Sequence, residues 1–266
     1  AGLSLVFGIM RLVNLAHGDL IVFAAYLILI GVSALGLSPF LAALVAAPLM
    51  FIAGWLLQSL VLNRVLGKDI LPPLLVTFGL SVALQNGLLE AFSADSRRIP
   101  AGTLEGASLD LGVVTVGVMP LLTFGSAILV IVALNAVFYQ TALGRAFRAP
   151  SDDPVTASLM GIEPKRVFAV ATGLAMVVVT VAALYLGMRA NFDPSIGPAR
   201  LLYAFEAVII GGLGSLWGTL AGGIIIGVAQ TLGAAINPEW QILAGHLAFL
   251  AVLLVRPRGL FPRAVD

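Results

Sequence analysis

Cysteine is absent from this sequence, so disulfides and thiolate metal sites are excluded. Charge is scarce: Asp, Glu, Lys and Arg make up 10% of the chain, where a soluble domain carries about 25%. The two histidines, His17 and His246, lie far apart and give no metal-ligand spacing. A net charge of +1 gives no reason to expect a nucleic-acid partner. No G-x-x-x-x-G-K-S/T stretch occurs, so the chain is not expected to bind ATP itself. H-E-x-x-H, G-x-S-x-G and paired aspartates within apolar runs are also missing, which leaves an intramembrane enzyme without support. What is abundant is apolar surface. Hydrophobic residues make up 60% of the 266, and the mean hydropathy is +1.09, as expected of an all-α integral membrane protein.

An apolar run of roughly 17–25 residues spans a bilayer as a helix, with its backbone groups paired internally. Residues 1–9 read as the end of a span whose beginning precedes Ala1; no basic region or cleavage site marks a signal peptide. Full spans are expected near 19–36, 39–62, 71–92, 118–139 and 166–188, then a short apolar piece at 201–211 and spans near 216–236 and 240–255. The expectation is one transmembrane domain over 1–266, with about eight transmembrane helices in two related halves, two of the segments broken or half-spanning. Ser38-Pro39 and Pro72-Pro73 look like helix starts. Alternating the spans puts Arg11, Arg64, Lys68, Arg145, Arg148, Lys165, Arg166, Arg256, Arg258 and Arg263 on one side, and Arg97, Arg98, Arg189 and Arg200 on the other. The richer side is expected to be cytoplasmic, and with it the C-terminus. The segment 93–117 is then extracytoplasmic, with V-V-T-V between glycines as a candidate hairpin, touching an external partner or serving only as a surface connection.

The polar stretch 140–166 holds four basic and three acidic residues. Asp152 or Asp153 suits a helix cap, Pro154 the first helical position, and Gly161 the left-handed residue after the end. The two turns between, 154–160, are too short to be stable alone in water. They form either a knob offered to a soluble partner through Val155, Ala157, Ser158, Leu159 and Met160, or a well-capped connector. Two apolar segments, 2–20 and 207–223, are interrupted, and L-V-N-L-A-H-G at 12–18 is weakly like L-G-S-L-W-G at 213–218. Broken segments in corresponding halves point to a transport pathway; the alternative is that their glycines, Gly212 and Gly214 among them, serve close helix packing. Polar residues in apolar surroundings add candidates for the pathway: Asn14, His17, Asp19, Gln85, Asn86 and Glu206, with Gln230 and His246 beside them. Asp19 suits a helix N-terminus equally well, Gln85 and Asn86 suit interhelical hydrogen bonds, and His246 reads as a packed histidine.

G-L-S-L-V-F-G-I-M-R-L-V-N-L-A-H-G-D-L closely resembles the opening motif of permease subunits of branched-chain amino acid ABC importers, the LivH type. G-R-A-F-R-A-P-S-D-D-P-V-T-A-S-L-M-G-I-E-P-K-R-V, G-G-L-G-S-L-W-G-T-L-A-G-G and L-V-R-P-R-G-L-F resemble the same family in order along the chain. Family members begin with further residues that complete the first span. The resemblance implies a bacterial inner-membrane importer of five parts. This permease pairs with a second, LivM-type permease or a second copy; two ATPases bind ATP and Mg beneath; a soluble binding protein delivers substrate from outside. The helix at 154–160 then matches the coupling element seated in an ATPase groove. Relatives carry urea, short amides and other small solutes as well. From the residues alone, a self-contained secondary transporter or channel using Asp19 and Glu206 is the competing reading.

Overall fold

The computed structural model describes residues 1–67, 69–110, 112 and 115–261, with backbone only at Asp152 and Pro154. Lys68, Val113, Val114 and Arg263, named above, lie outside the described residues. Six helices are long and apolar enough to cross a membrane: α2 (His17–Leu35), α3 with its continuation (Pro39–Val65), α5 (Leu71–Phe92), α6 (Val118–Gln140), α9 (Pro164–Arg189) and α11 (Leu216–Ile236). Three shorter helices join them: α1 (Gly2–Met10), α10 (Gly197–Gly211) and the apolar α12 (Trp240–Val255). Outside the bundle lie α7 (Ala142–Asp152), α8 (Pro154–Leu159) and a small hairpin, with β1 (Ser108–Asp110) antiparallel to β2 (Thr115–Gly117).

The helix starts follow the sequence. Ser38 accepts the Leu41 amide at 3.4 Å with Pro39 in the first turn, and α5 begins at Leu71 with proline in its first turn. The core is α9, 26 residues long, packed against α3, α2 and α1. Small residues allow the close approach, as is general where lipid is as apolar as the helices. A Cβ on Gly173 would stand 2.8 Å from the Phe51 ring, and one on Gly54 would stand 2.9 Å from the Thr172 carbonyl oxygen. After Leu57, α3 loosens into a π turn, Gln58–Leu62, before the short α4 (Asn63–Val65). Gln58 is fully buried there, accepting the Thr172 hydroxyl at 2.8 Å and donating to Asn63 Oδ1 at 3.0 Å. The other half packs on glycine: a Cβ on Gly218 would fall 2.1 Å from the Gly211 carbonyl oxygen, and one on Gly222 the same distance from that of Ala207. By contrast α5 and α6 expose most of their apolar surface.

The polar stretch differs from expectation in one respect: residues 142–152 are helical as α7. Thr141 caps it by accepting the Gly144 amide at 3.2 Å, and Phe147, 1% exposed, anchors it. The Arg148 guanidinium donates to the Phe138 carbonyl at the end of α6.

Candidate functional site

The first break lies between α1 and α2. Helix α1 ends at Arg11, whose φ of 51° is left-handed, and the chain doubles back. Gly2 therefore lies against the His17 ring and the carbonyl of Ala175, near the middle of α9. Helix α2 thus starts inside the span. Asn14 supports this start: its Oδ1 accepts the Ala16 amide at 3.0 Å. Helix α10 also starts inside the span, because Gly18 and Gly197 are in contact; a Cβ on Gly18 would fall 2.0 Å from the Gly197 carbonyl oxygen. The second break follows α10. Gly212 (φ 99°) and Gly214 (φ 82°) turn the chain, which residues with a Cβ do poorly. Ser215 then caps α11, accepting the Gly218 amide at 3.0 Å.

The likeness of 12–18 to 213–218 does not bring those stretches together as a pair. The second break meets the end of α1 instead: a Cβ on Gly8 would stand 3.2 Å from Gly214 Cα, and Ser4 Oγ donates to the Ser215 carbonyl at 3.3 Å. A cavity of about 270 Å³ opens beside this contact, lined by Ser4, Leu5 and Gly8 of α1, Asn135, Phe138 and Tyr139 of α6, Gly214, Ser215 and Trp217, and Phe261 of the C-terminal segment. The C-terminal segment forms its rim: Leu260 and Phe261 donate to the Ile210 and Gly211 carbonyls at 2.8 and 3.0 Å, satisfying the end of α10. Ser151 of α7 donates to the Gly8 carbonyl at 2.9 Å, so the polar stretch is tied directly to the wall of the cavity.

Of the pathway candidates, only Gly214 lines this cavity. Gly212 is buried against Gly259. His17 and Asp19 are buried at the α2–α10 junction, where Asp19 Oδ2 accepts the Ser81 hydroxyl at 2.5 Å and Gln85 holds that hydroxyl at 3.0 Å. Asn86 is not with them: one residue beyond Gln85 it turns to the exposed face of α5 and donates to its own helix at Val82. Glu206 forms a separate cluster with His246 Nδ1, and Tyr203 stacks on that imidazole with ring centroids 5.8 Å apart. His246 is therefore paired rather than merely packed. Arg200, expected on the extracytoplasmic side, lies in the first turn of α10, next to Leu201, which meets Gly18. Ser4, Ser81, Asn135 and Phe261 were not singled out from the sequence. Asn135 carried a usable signal, a lone amide within an apolar run.

In the polar stretch Asp153 caps α8, accepting the Val155 and Thr156 amides at 2.9 and 3.2 Å and the Thr156 hydroxyl at 2.5 Å. These bonds, the Thr156 hydroxyl foremost, hold its carboxyl below the ordinary 3.8. Gly161 (φ 81°) ends the helix as expected, with the Gly161 and Ile162 amides donating to the Ser158 and Ala157 carbonyls at 3.1 and 3.0 Å. Ala157 is corrected: at 3% exposed it faces the chain's own interior, because the closing turn folds back over that side. Val155, Leu159 and Met160 are 71%, 82% and 78% exposed.

The family described as branched-chain amino acid transport system / permease component matches residues 1–255. The chain is 28% identical to the high-affinity branched-chain amino acid transport system permease protein BraD of Pseudomonas aeruginosa, over 98% of this chain and 90% of that protein. It is 28% identical to the corresponding LivH protein of Escherichia coli, over 98% and 89%. A shorter likeness, 25% identity over 51% of this chain and 32% of the other, joins it to the E. coli permease protein LivM. No solved structure matches. Two interrupted membrane segments meeting at a cavity, and a family match that runs from the first residue to the end of α12, lead to one conclusion: this chain is a membrane transport subunit, not an enzyme, and belongs to the family of branched-chain amino acid transport system permease components.

Proposed function

We propose that the chain is the permease of an ATP-driven, binding-protein-dependent importer of branched-chain amino acids in a bacterial inner membrane. It works beside a second permease, LivM-like or a second copy, with two ATP-binding subunits holding ATP and Mg on the cytoplasmic side and a binding protein outside. The observation that carries this reading is α8, a capped helix outside the spans that leaves Val155, Leu159 and Met160 exposed without lipid to cover them. Apolar side chains so placed mark a protein contact, and Ser151 connects that surface to the cavity wall. The pathway then runs from the α2–α10 junction to the cavity beside Gly8 and Gly214.

The test is to purify the assembled complex, identify its chains by mass and measure labelled leucine uptake into proteoliposomes. Uptake should need ATP and the binding protein together, and the isolated subunit should hydrolyse no ATP. Uptake by the subunit alone on an ion gradient would establish the stand-alone carrier instead. Labelled urea or acetamide in place of leucine would reassign the substrate within the same type of complex.

A further inference from the structure

Opposite charges stand unpaired where α2 and α10 begin. Asp19 is fully buried; its Oδ2 is held by Ser81, but its Oδ1 has no hydrogen-bond partner. That oxygen lies against the first residue of α10, since a Cβ on Gly197 would fall 2.0 Å from it. One turn on, Arg200 buries an Nε without a partner, and among the described residues it makes no ion pair. The two residues adjoin a single backbone contact: Gly18, next to Asp19, meets the Gly197 carbonyl and Leu201 Cβ, and Leu201 is next to Arg200. His17, 3% exposed, adds a third unpartnered atom, Nδ1. Charged groups inside a span are costly unless something pairs them. Asp19 lacks a cation. Arg200 lacks an anion.

Resting on the function proposed above, we infer that the α2–α10 junction is the station inside the span that recognises an α-amino acid as a zwitterion. Asp19 Oδ1 receives the α-ammonium, while Arg200 receives the α-carboxylate. A zwitterion satisfies both charges at once; a neutral amide or urea leaves both unpaired. With Gly18 closed on Gly197 the station is shut, and it opens as the two helix starts part. Small residues at the contact let it close fully.

The test uses the whole complex in proteoliposomes with saturating, leucine-loaded binding protein. Asp19→Asn keeps the size of the side chain and one oxygen to accept the Ser81 hydroxyl, and Arg200→Gln keeps donors, but each removes its charge. We expect leucine moved per ATP hydrolysed to fall about tenfold or more in each, a change of about 1.4 kcal/mol or more in the coupling step. The half-saturating concentration of loaded binding protein should stay unchanged, because capture occurs outside. Asp19→Glu and Arg200→Lys should recover part of the loss. A merely structural role would lower ATP hydrolysis and transport together, or prevent assembly. A second arm needs neither charge variant. The chain lacks cysteine, so Ala199→Cys, at an exposed position between Gly197 and Arg200, is labelled with a methanethiosulfonate and read by the intact mass of this chain. Millimolar leucine should slow labelling, while leucinamide, without the carboxylate, and 4-methylpentanoate, without the ammonium, should not. Equal protection by all three, protection by none, or wild-type coupling in both charge-neutral variants overturns the inference. Absence of leucine uptake by the wild-type complex overturns the functional reading itself.

Discussion

Leu159 offers the sharpest test of the proposed contact between this permease and ATP-binding subunits. Its side chain is 82% exposed, and that of Met160 beside it is 78% exposed, on a helix outside the membrane spans. Truncating Leu159 to alanine removes three carbons. At about 0.8 kcal/mol per buried methylene, and with roughly four-fifths of the surface still open to burial, docking should weaken by about 2 kcal/mol, or about thirtyfold in affinity. The helix itself should survive, because its supports lie elsewhere: the Asp153 cap, the left-handed Gly161 and the Ala157 anchor are all untouched. The assay is a titration of nanodisc-embedded permease with the purified ATP-binding subunits, alongside hydrogen exchange at the Thr156 and Met160 amides. Weaker docking with unchanged protection is the expected outcome. Met160→Ala should behave likewise, and the double variant should lose more than either single one. A loss below about twofold with normal uptake would make α8 only a connector, since burying either side chain is worth more than that.

Two further outcomes follow from the packing and the capping. Gly218→Val should push α10 from α11, since its Cβ would meet the Gly211 carbonyl at 2.1 Å; such overpacking costs about 1–3 kcal/mol and should lower the melting temperature in detergent, while Gly223→Ala, inside α11 with nothing within 4 Å, should not lower it. The Asp153 cap should respond to acid with a definite sign. Its carboxyl is held below the ordinary 3.8 in the folded chain, so its stabilising effect is present above that value and is lost as pH falls through the lower folded one. Exchange at the Val155 and Thr156 amides, corrected for its intrinsic pH dependence, should therefore stay level down to about pH 4 and rise below it; a rise already between pH 7 and 5 would contradict the geometry of the cap.

How much of this was legible in the sequence depended on which residues break the apolar background. Helix ends were readable where a residue is chemically suited to one place: Ser38 before Pro39, Asp153 before Pro154, and Gly161 at φ 81°. Helix α7 was not, because Pro150 and the charges of 142–152 have the composition of a loop; its order comes from the burial of Phe147 and the Ser151 bond to Gly8, both tertiary. Glu206 and His246 were each visible as polar exceptions, but a contact between residues 40 apart on helices apolar all round leaves no periodicity to read. In water the polar face of a helix reveals which side is buried. In lipid that signal vanishes, and the information moves to glycines and to lone polar side chains. Such residues say that something approaches closely without saying what. Gly18 could have met any helix; that it meets Gly197, and thereby sets Asp19 beside the start of α10, depends on α2 and α10 both beginning inside the span. The sequence around 12–18 and 213–218 shows two interruptions, but the elements each one faces follow from the direction in which the chain leaves it. Arg11 turns the chain back along α1 to start α2 beside Gly2, and the turn at Gly212 and Gly214 packs beneath α1 at Gly8. Similar words in the sequence therefore end up in different places, one setting buried Asp19 against the start of α10 and the other lining a cavity.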